Sequence, residues 1–149
     1  MPDASPAPRN DAPLTESRTF TIDRHAVAAV DAWIEDVGRS FGASQATVFG
    51  ARLCVAELFA NVIEHGIGRS ERDRITVTLA RSADGIGIEF VDTCGRFDPT
   101  HVAAPVQGES IEDAPVGGRG LTLVRGYAKE FAYRHDGARN RTTLRIAAR

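Results

Sequence analysis

The chain has no long apolar run, and so no sign of a membrane span. Its N-terminus lacks the charged-then-apolar pattern of a secretory leader, which makes the cytoplasm the expected location. Neither charge is in excess: 18 Lys+Arg stand against 20 Asp+Glu, a net charge of −2. That balance gives no phosphate-seeking basic surface, and direct nucleic-acid binding is not expected. Cysteine is scarce. Cys54 and Cys94 make neither a disulfide framework nor a metal-ligand spacing, and both read as reduced thiols. No internal repeat is visible. What remains is 149 residues with 42% hydrophobic and 26% charged content, ordinary for one globular domain able to close a core.

Residues 1–17 are rich in Pro, Ala, Asp and Ser without periodicity, and are expected to form a flexible tail before a domain over 18–149. Phe20 and Ile22 alternate in a short strand over 18–23. Val27, Val30, Ile34 and Val37 recur at helical spacing over 25–41, and Gly42 ends that helix. Ser44 is placed to cap a second helix that runs to about Gly66. That helix is apolar over much of its circumference (Val48, Phe49, Leu53, Val55, Leu58, Phe59, Val62, Ile63), so it belongs inside the protein. Strands over 74–81 and 85–92 follow, joined by an Asp84-Gly85 turn that makes them antiparallel neighbours. Residues 100–118 read as a long loop, a length that in compact domains is usually functional and often a lid. A helix over 120–130 and strands over 131–134 and 142–146, joined across Asp136-Gly137, complete the chain. Hairpins dominate this order, so the expected class is α+β, a two-layer sandwich with a mixed, mostly antiparallel sheet and helices on one face.

Three polar features stand out against this frame. Glu57, Asn61 and His65 are spaced four apart and share one face of the apolar second helix, a costly arrangement to bury without partners. A solvent-facing stripe would explain them, but Cys54, Leu58 and Val62 flank it and leave little polar surface. Asp92 continues the row of Ile86, Ile88 and Phe90 on one strand face. It either caps the following turn or points into a pocket to accept a hydrogen bond from a ligand amine. Gly117-Gly118-Arg119-Gly120 precedes a helix, where glycines permit close backbone approach and free N–H groups attract phosphate oxygens.

Together these segments resemble a known family. The run from Glu57 to Gly66, ELFANVIEHG, resembles the N-box of the GHKL (histidine kinase-like) ATPase superfamily. Asp92 to Pro99, DTCGRFDP, resembles its first glycine box in the form ending Phe-Asp-Pro, and Gly117 to Arg125, GGRGLTLVR, resembles the second. The Phe-Asp-Pro ending, the short lid (about 99–118) and the double glycine are those of one branch, the RsbW-like anti-sigma factor serine/threonine-protein kinases of bacterial partner-switching systems. The stretch from Tyr133 to Arg141 also resembles that branch's final hairpin.

The resemblance implies ATP and Mg²⁺ as cofactors. It implies that Asn61 holds Mg²⁺ through its side-chain oxygen and that Glu57 is the general base for a serine hydroxyl on a partner. Asp92 would hold the adenine amino group, with Phe97 and Leu121 also at the nucleotide. Gly118 and Gly120 would meet phosphates through backbone N–H groups, Arg119 would add charge there, and Thr142 would line the adenine pocket. One position departs from the pattern: Cys94 stands where the family usually has glycine, with Gly95 next to it. Either the adenine floor is altered or the turn shifts by one residue. His65 is expected to pack behind the pocket rather than to catalyse. The implied partners are a STAS-domain anti-sigma factor antagonist carrying the target serine and a sigma factor, with a homodimer possible for the family. A non-catalytic partner-binding module of the same fold is the alternative. A sensor histidine kinase is disfavoured, because only about twenty residues precede the first strand, too few for a dimerisation helix.

Overall fold

The computed structural model describes residues 14–101 and 118–149, so most of the expected tail and lid lie outside the described residues. Strand β1 (Thr15–Thr21) leads into helices α1 (Arg24–Ser40) and α2 (Gln45–His65). Strands β2 (Arg74–Ser82) and β3 (Gly85–Asp92) follow, then a 3-10 turn (Pro99–His101), α3 (Gly118–Tyr127), β4 (Ala128–His135) and β5 (Asn140–Ala147). The strands form one sheet in the order β1-β2-β3-β5-β4, and every neighbouring pair is antiparallel. This is the expected α+β architecture, with no parallel pair among the described strands.

One face of the sheet is buried. Ile75, Val77 and Leu79 of β2, Ile86, Ile88 and Phe90 of β3, and Leu144 and Ile146 of β5 project into a core shared with the helices. The other face carries hydroxyls and charge: Ser17 bonds Thr78 at 2.9 Å, Thr19 bonds Thr76 at 2.8 Å, and Arg141 pairs with Glu89 at 2.6 Å. Period-two alternation alone sorts these residues between the faces.

Local signals set the element ends. Asp23 caps α1 by accepting from Ala26 N–H at 2.8 Å, and Ala26, Val30, Ile34 and Val37 bury one stripe of that helix. Gly42, with φ +74°, turns the chain out of α1 in a conformation that side chains resist. Ser44 caps α2 through Thr47 N–H at 3.2 Å. The β2–β3 hairpin depends on Gly85, whose φ is +145°; a Cβ there would fall 1.8 Å from the Ile146 carbonyl oxygen.

By length and composition α2 is apolar enough to cross a membrane, an apolar run that composition alone did not flag. Packing accounts for it. More than half of its most apolar stretch is buried in the fold, Ala51, Cys54, Val55 and Phe59 completely so. Phe59 meets Phe20 and Phe90 edge-on with ring centroids 6.3 and 6.2 Å apart. Phe49 departs from the expected interior position and is 53% exposed, against Tyr127.

Two boundaries differ from the sequence reading. β1 begins at Thr15, because the hydroxyl pairs with β2 extend the ladder toward the N-terminus. α3 starts at Gly118 and stops at Tyr127, so residues 128–130 join β4 and not the helix. There Ala128 pairs with Ile146 and Glu130 with Arg145, and tertiary pairing overrides the short helical pattern.

Candidate functional site

The last two turns of α2 and the end of β3 converge. Asn61, Val62 and His65 from α2 line one cleft together with Asp92, Cys94 and Phe97 from β3 and the turn after it; Gly66, Gly95 and Asn140 complete the lining. The cleft's free space is about 10 Å³. Small-molecule pockets run to about 300 Å³ or more, so a nucleobase enters only when these side chains part. A larger groove, about 700 Å³, runs beside Arg39, Phe49 and Arg52 at the opposite end of α2 and shares no residue with the cleft.

Asn61 is 8% exposed, and its amide has no hydrogen-bond partner among the described residues. The amide lines the cleft and is not among the fully buried polar atoms without a partner, so it is free to meet a ligand there. Its oxygen is a hard donor suited to Mg²⁺, which commonly takes few protein ligands and completes its shell with phosphate oxygens and water. No cluster of three His, Cys, Asp or Glu that could hold a metal occurs among the described residues. Glu57 lies one turn earlier on α2, half-buried, and is not among the residues that line the cleft.

Asp92 is 7% exposed; it caps the turn after β3, one of the two roles left open by the sequence, and it also lines the cleft. Its Oδ1 accepts from Cys94 N–H at 3.0 Å, capping the turn, and from Asn140 Nδ2 at 2.9 Å. The carboxyl also faces the cleft. Burial pushes its pKa up, and the bonds from Asn140 and Cys94 hold it back down.

Cys94 fills the position expected to be glycine. Its thiol is buried, with its pKa pushed up to about 12 first by burial and then by the nearby Asp92 charge. It is therefore a neutral, packed thiol, as is Cys54, raised to about 12 by burial and by Glu57. The tight position is Gly95: its N–H donates to the Ile67 carbonyl at 2.7 Å, and a Cβ there would sit 2.9 Å from that oxygen. The close backbone approach in this turn thus falls at Gly95, one residue after Cys94.

The remaining expected residues are placed unevenly. Phe97 lines the cleft. Gly118, Arg119 and Gly120 form the first turn of α3, their side chains outside the described part. Leu121 is 1% exposed in the core, which leaves its backbone as the part it can offer a ligand. Thr142 is buried opposite Phe90 and next to the cleft rather than in its lining. His65 is at the cleft rim, 44% exposed and 3.7 Å from Glu64, not packed behind the pocket as expected. Arg125 Nη2 donates to the Thr100 carbonyl at 3.0 Å and so joins the two described flanks of segment 102–117.

Sequence reasoning missed Asn140. It is 2% exposed, sits opposite Asp92 in the β3–β5 register, and continues the inward row of Thr142, Leu144 and Ile146. The period-two alternation of β5, extended two residues back, was the available signal.

Residues 20–146 match the family of histidine kinase-like ATPase domains. The chain belongs to this family. The match spans every element that builds the cleft. Serine/threonine-protein kinase BtrW of Bordetella bronchiseptica is 26% identical over 132 residues, covering 87% of this chain and 93% of that protein. The likeness to the kinase branch read from the three boxes thus extends over a whole relative. In the structure of the RsbU and RsbW domains of Rv1364c from Mycobacterium tuberculosis, the fold recurs with a TM-score of 0.64 at 18% identity, over 90% of this chain and 32% of that one. This chain therefore spans about a third of that longer protein. The histidine kinase domain of Erythrobacter litoralis EL346 shares the fold more loosely, with a TM-score of 0.50 at 13% identity, over 83% of this chain and 60% of that one.

Proposed function

We propose that this protein is a serine protein kinase and anti-sigma factor of a bacterial partner-switching system. It transfers the γ-phosphoryl group of ATP to a serine of a STAS-type antagonist and, when free of antagonist, sequesters a sigma factor. The observation that carries this reading is the convergence of Asn61 and Asp92 on one cleft, in a chain that aligns with nearly the whole of a named serine/threonine kinase. The setting is the cytoplasm, and the family resemblance makes a homodimer possible.

In this reading Asp92 accepts a hydrogen bond from the adenine amino group, with Phe97 and Thr142 around the base. The backbone N–H groups of Gly118, Gly120 and Leu121, at the positive end of the α3 dipole, hold phosphate oxygens, and Arg119 adds charge. Asn61 would hold Mg²⁺, which when bound neutralises charge on the phosphates. Glu57 takes the proton from the partner's serine hydroxyl as that oxygen bonds to the γ-phosphorus. The bond from the γ-phosphorus to the β,γ-bridging oxygen breaks, and the products are phosphoserine, ADP and the protonated Glu57 carboxyl.

The test combines the protein, Mg-ATP and candidate antagonist, with phosphoserine read by mass spectrometry. Transfer is expected from the wild type, and Glu57→Ala should lower it by about 100-fold or more. Absence of transfer by the wild type overturns the kinase reading; undiminished transfer by the variant overturns the base.

The closed cleft and the Cys94 side chain favour a second reading, a partner-binding module without turnover. Calorimetry with Mg-ATP separates the two, since that module binds its partner yet yields little or no heat with nucleotide.

A further inference from the structure

Asn140 spends its whole hydrogen-bonding capacity inside the cleft wall. Its Nδ2 donates to Asp92 Oδ1 at 2.9 Å, to the Gly95 carbonyl at 2.9 Å and to the Cys94 carbonyl at 3.2 Å. Its Oδ1 accepts from Phe97 N–H at 3.1 Å and from the Tyr133 hydroxyl at 2.5 Å. The amide orientation follows from these partners. Flipped, its oxygen would face a carboxylate and two carbonyls, all acceptors. One buried side chain thus ties together the acid at the end of β3, both peptides of the turn that follows it, and the edge strand β4.

The geometry also fixes which part of Asp92 meets a ligand. The bonds from Asn140 and from Cys94 N–H both fall on Oδ1. Both hold Oδ1, the Cys94 thiol lies in hydrogen-bonding reach of the same carboxyl, and Oδ2, with no bond from Asn140 or from the turn's backbone, is the oxygen placed to accept from an incoming amine. Resting on the ATP-site reading above, we propose that Asn140 is the positioning residue for nucleobase choice: it clamps Asp92 and the Cys94–Phe97 turn so that the free carboxylate oxygen selects a purine with an exocyclic 6-amino group.

The distinguishing measurement is a ratio. Calorimetry gives the Kd of the full chain with Mg²⁺ for ATP and for purine riboside triphosphate, which lacks the 6-amino group. The wild type is expected to prefer ATP by at least about tenfold, because a site built to pair with a donor rejects the analogue without it. Asn140→Ala should bring that ratio to within about threefold by weakening ATP binding, with affinity for purine riboside triphosphate retained. A general structural role would weaken both nucleotides together and leave the ratio in place, and that result overturns the proposal.

Tyr133→Phe keeps the fold under less strain, removing only the hydroxyl that steadies Asn140 Oδ1. It should lower the ratio by a smaller factor, and a ratio equal to wild type in both variants, or in Tyr133→Phe where Asn140→Ala does not fold, overturns the clamp. Equal wild-type affinity for the two nucleotides overturns the role of Asp92 and this proposal with it. A wild type that binds neither overturns the ATP-site reading itself.

Discussion

At the scale of single residues, the proposed adenine contact of Asp92 would come at the expense of stability. Burial raises its pKa above the ordinary 3.8, so the folded state holds its proton more readily than the unfolded chain does. The sign follows: stability from this group is greatest at low pH and falls as pH rises from 3.8 through the raised folded value, leaving the full cost at neutrality. Asp92→Asn removes the buried charge while its amide oxygen still accepts from Asn140 and Cys94 N–H. The melting temperature of the nucleotide-free variant is therefore expected at or above that of the wild type at pH 7, while ATP binding falls by about tenfold or more. Calorimetric melting and nucleotide titration on the same samples check the pair of outcomes. For the wild type, ATP affinity should decline on acidification at a higher pH than an exposed aspartate would give, since protonation places a hydrogen on the oxygen that is to accept from the nucleotide. The sequence exposed Asp92 through its place at the end of an inward row. It offered Asn140 only as the inward continuation of the β5 row; that Asn140 lies opposite Asp92 comes from the pairing of β3 with β5, strands that are not consecutive in the chain, which no local pattern encodes.

At the scale of elements, α2 is the member on which the rest is hung. It packs against α1, α3, β3 and β5, and its ring at Phe59 is 0% exposed between Phe20 and Phe90. Phe59→Ala should cost about 3–5 kcal/mol in urea unfolding, the usual range for a buried aromatic whose surroundings collapse only in part. Ser44→Ala removes the cap at the other end of the same helix and should cost about 1 kcal/mol. The β2–β3 hairpin has a sharper dependence. Gly85→Ala places a methyl group where the Ile146 carbonyl of β5 already stands, and the β3–β5 pairing must open to admit it; loss of amide protection along β3 and β5 in hydrogen exchange is the expected result. The sequence showed these elements plainly because their signals are local: apolar spacing, a capping serine, an Asp-Gly turn. It misjudged the junction of α3 and β4, where residues 128–130 are few and the strand partner in β5 decides their state.

At the scale of the whole molecule, nucleotide binding and folding share a free energy. A ligand that binds only the folded chain adds about 2.7 kcal/mol at 100 times its Kd, and for a chain of this size each kcal/mol raises the melting temperature by roughly 2–4 °C. Mg-ATP should therefore raise the melting temperature in a concentration-dependent way, and Asp92→Asn should abolish most of that rise at the same concentrations. No shift in the wild type at millimolar Mg-ATP would point to the non-catalytic module.

By itself the sequence determined the order and kind of nearly every element, the inward and outward faces of the strands, and the three boxes that mark the ATPase family. All of these are written in short-range spacing, which a period of two or of 3.6 converts directly into a face. Only the tertiary structure decided that Asn61 and Asp92 share a cleft, that Gly95 and not residue 94 makes the close approach, and that Asn140 completes the wall. Each of those outcomes depends on which strand lies beside which and in what register, a choice made by the packed core as a whole.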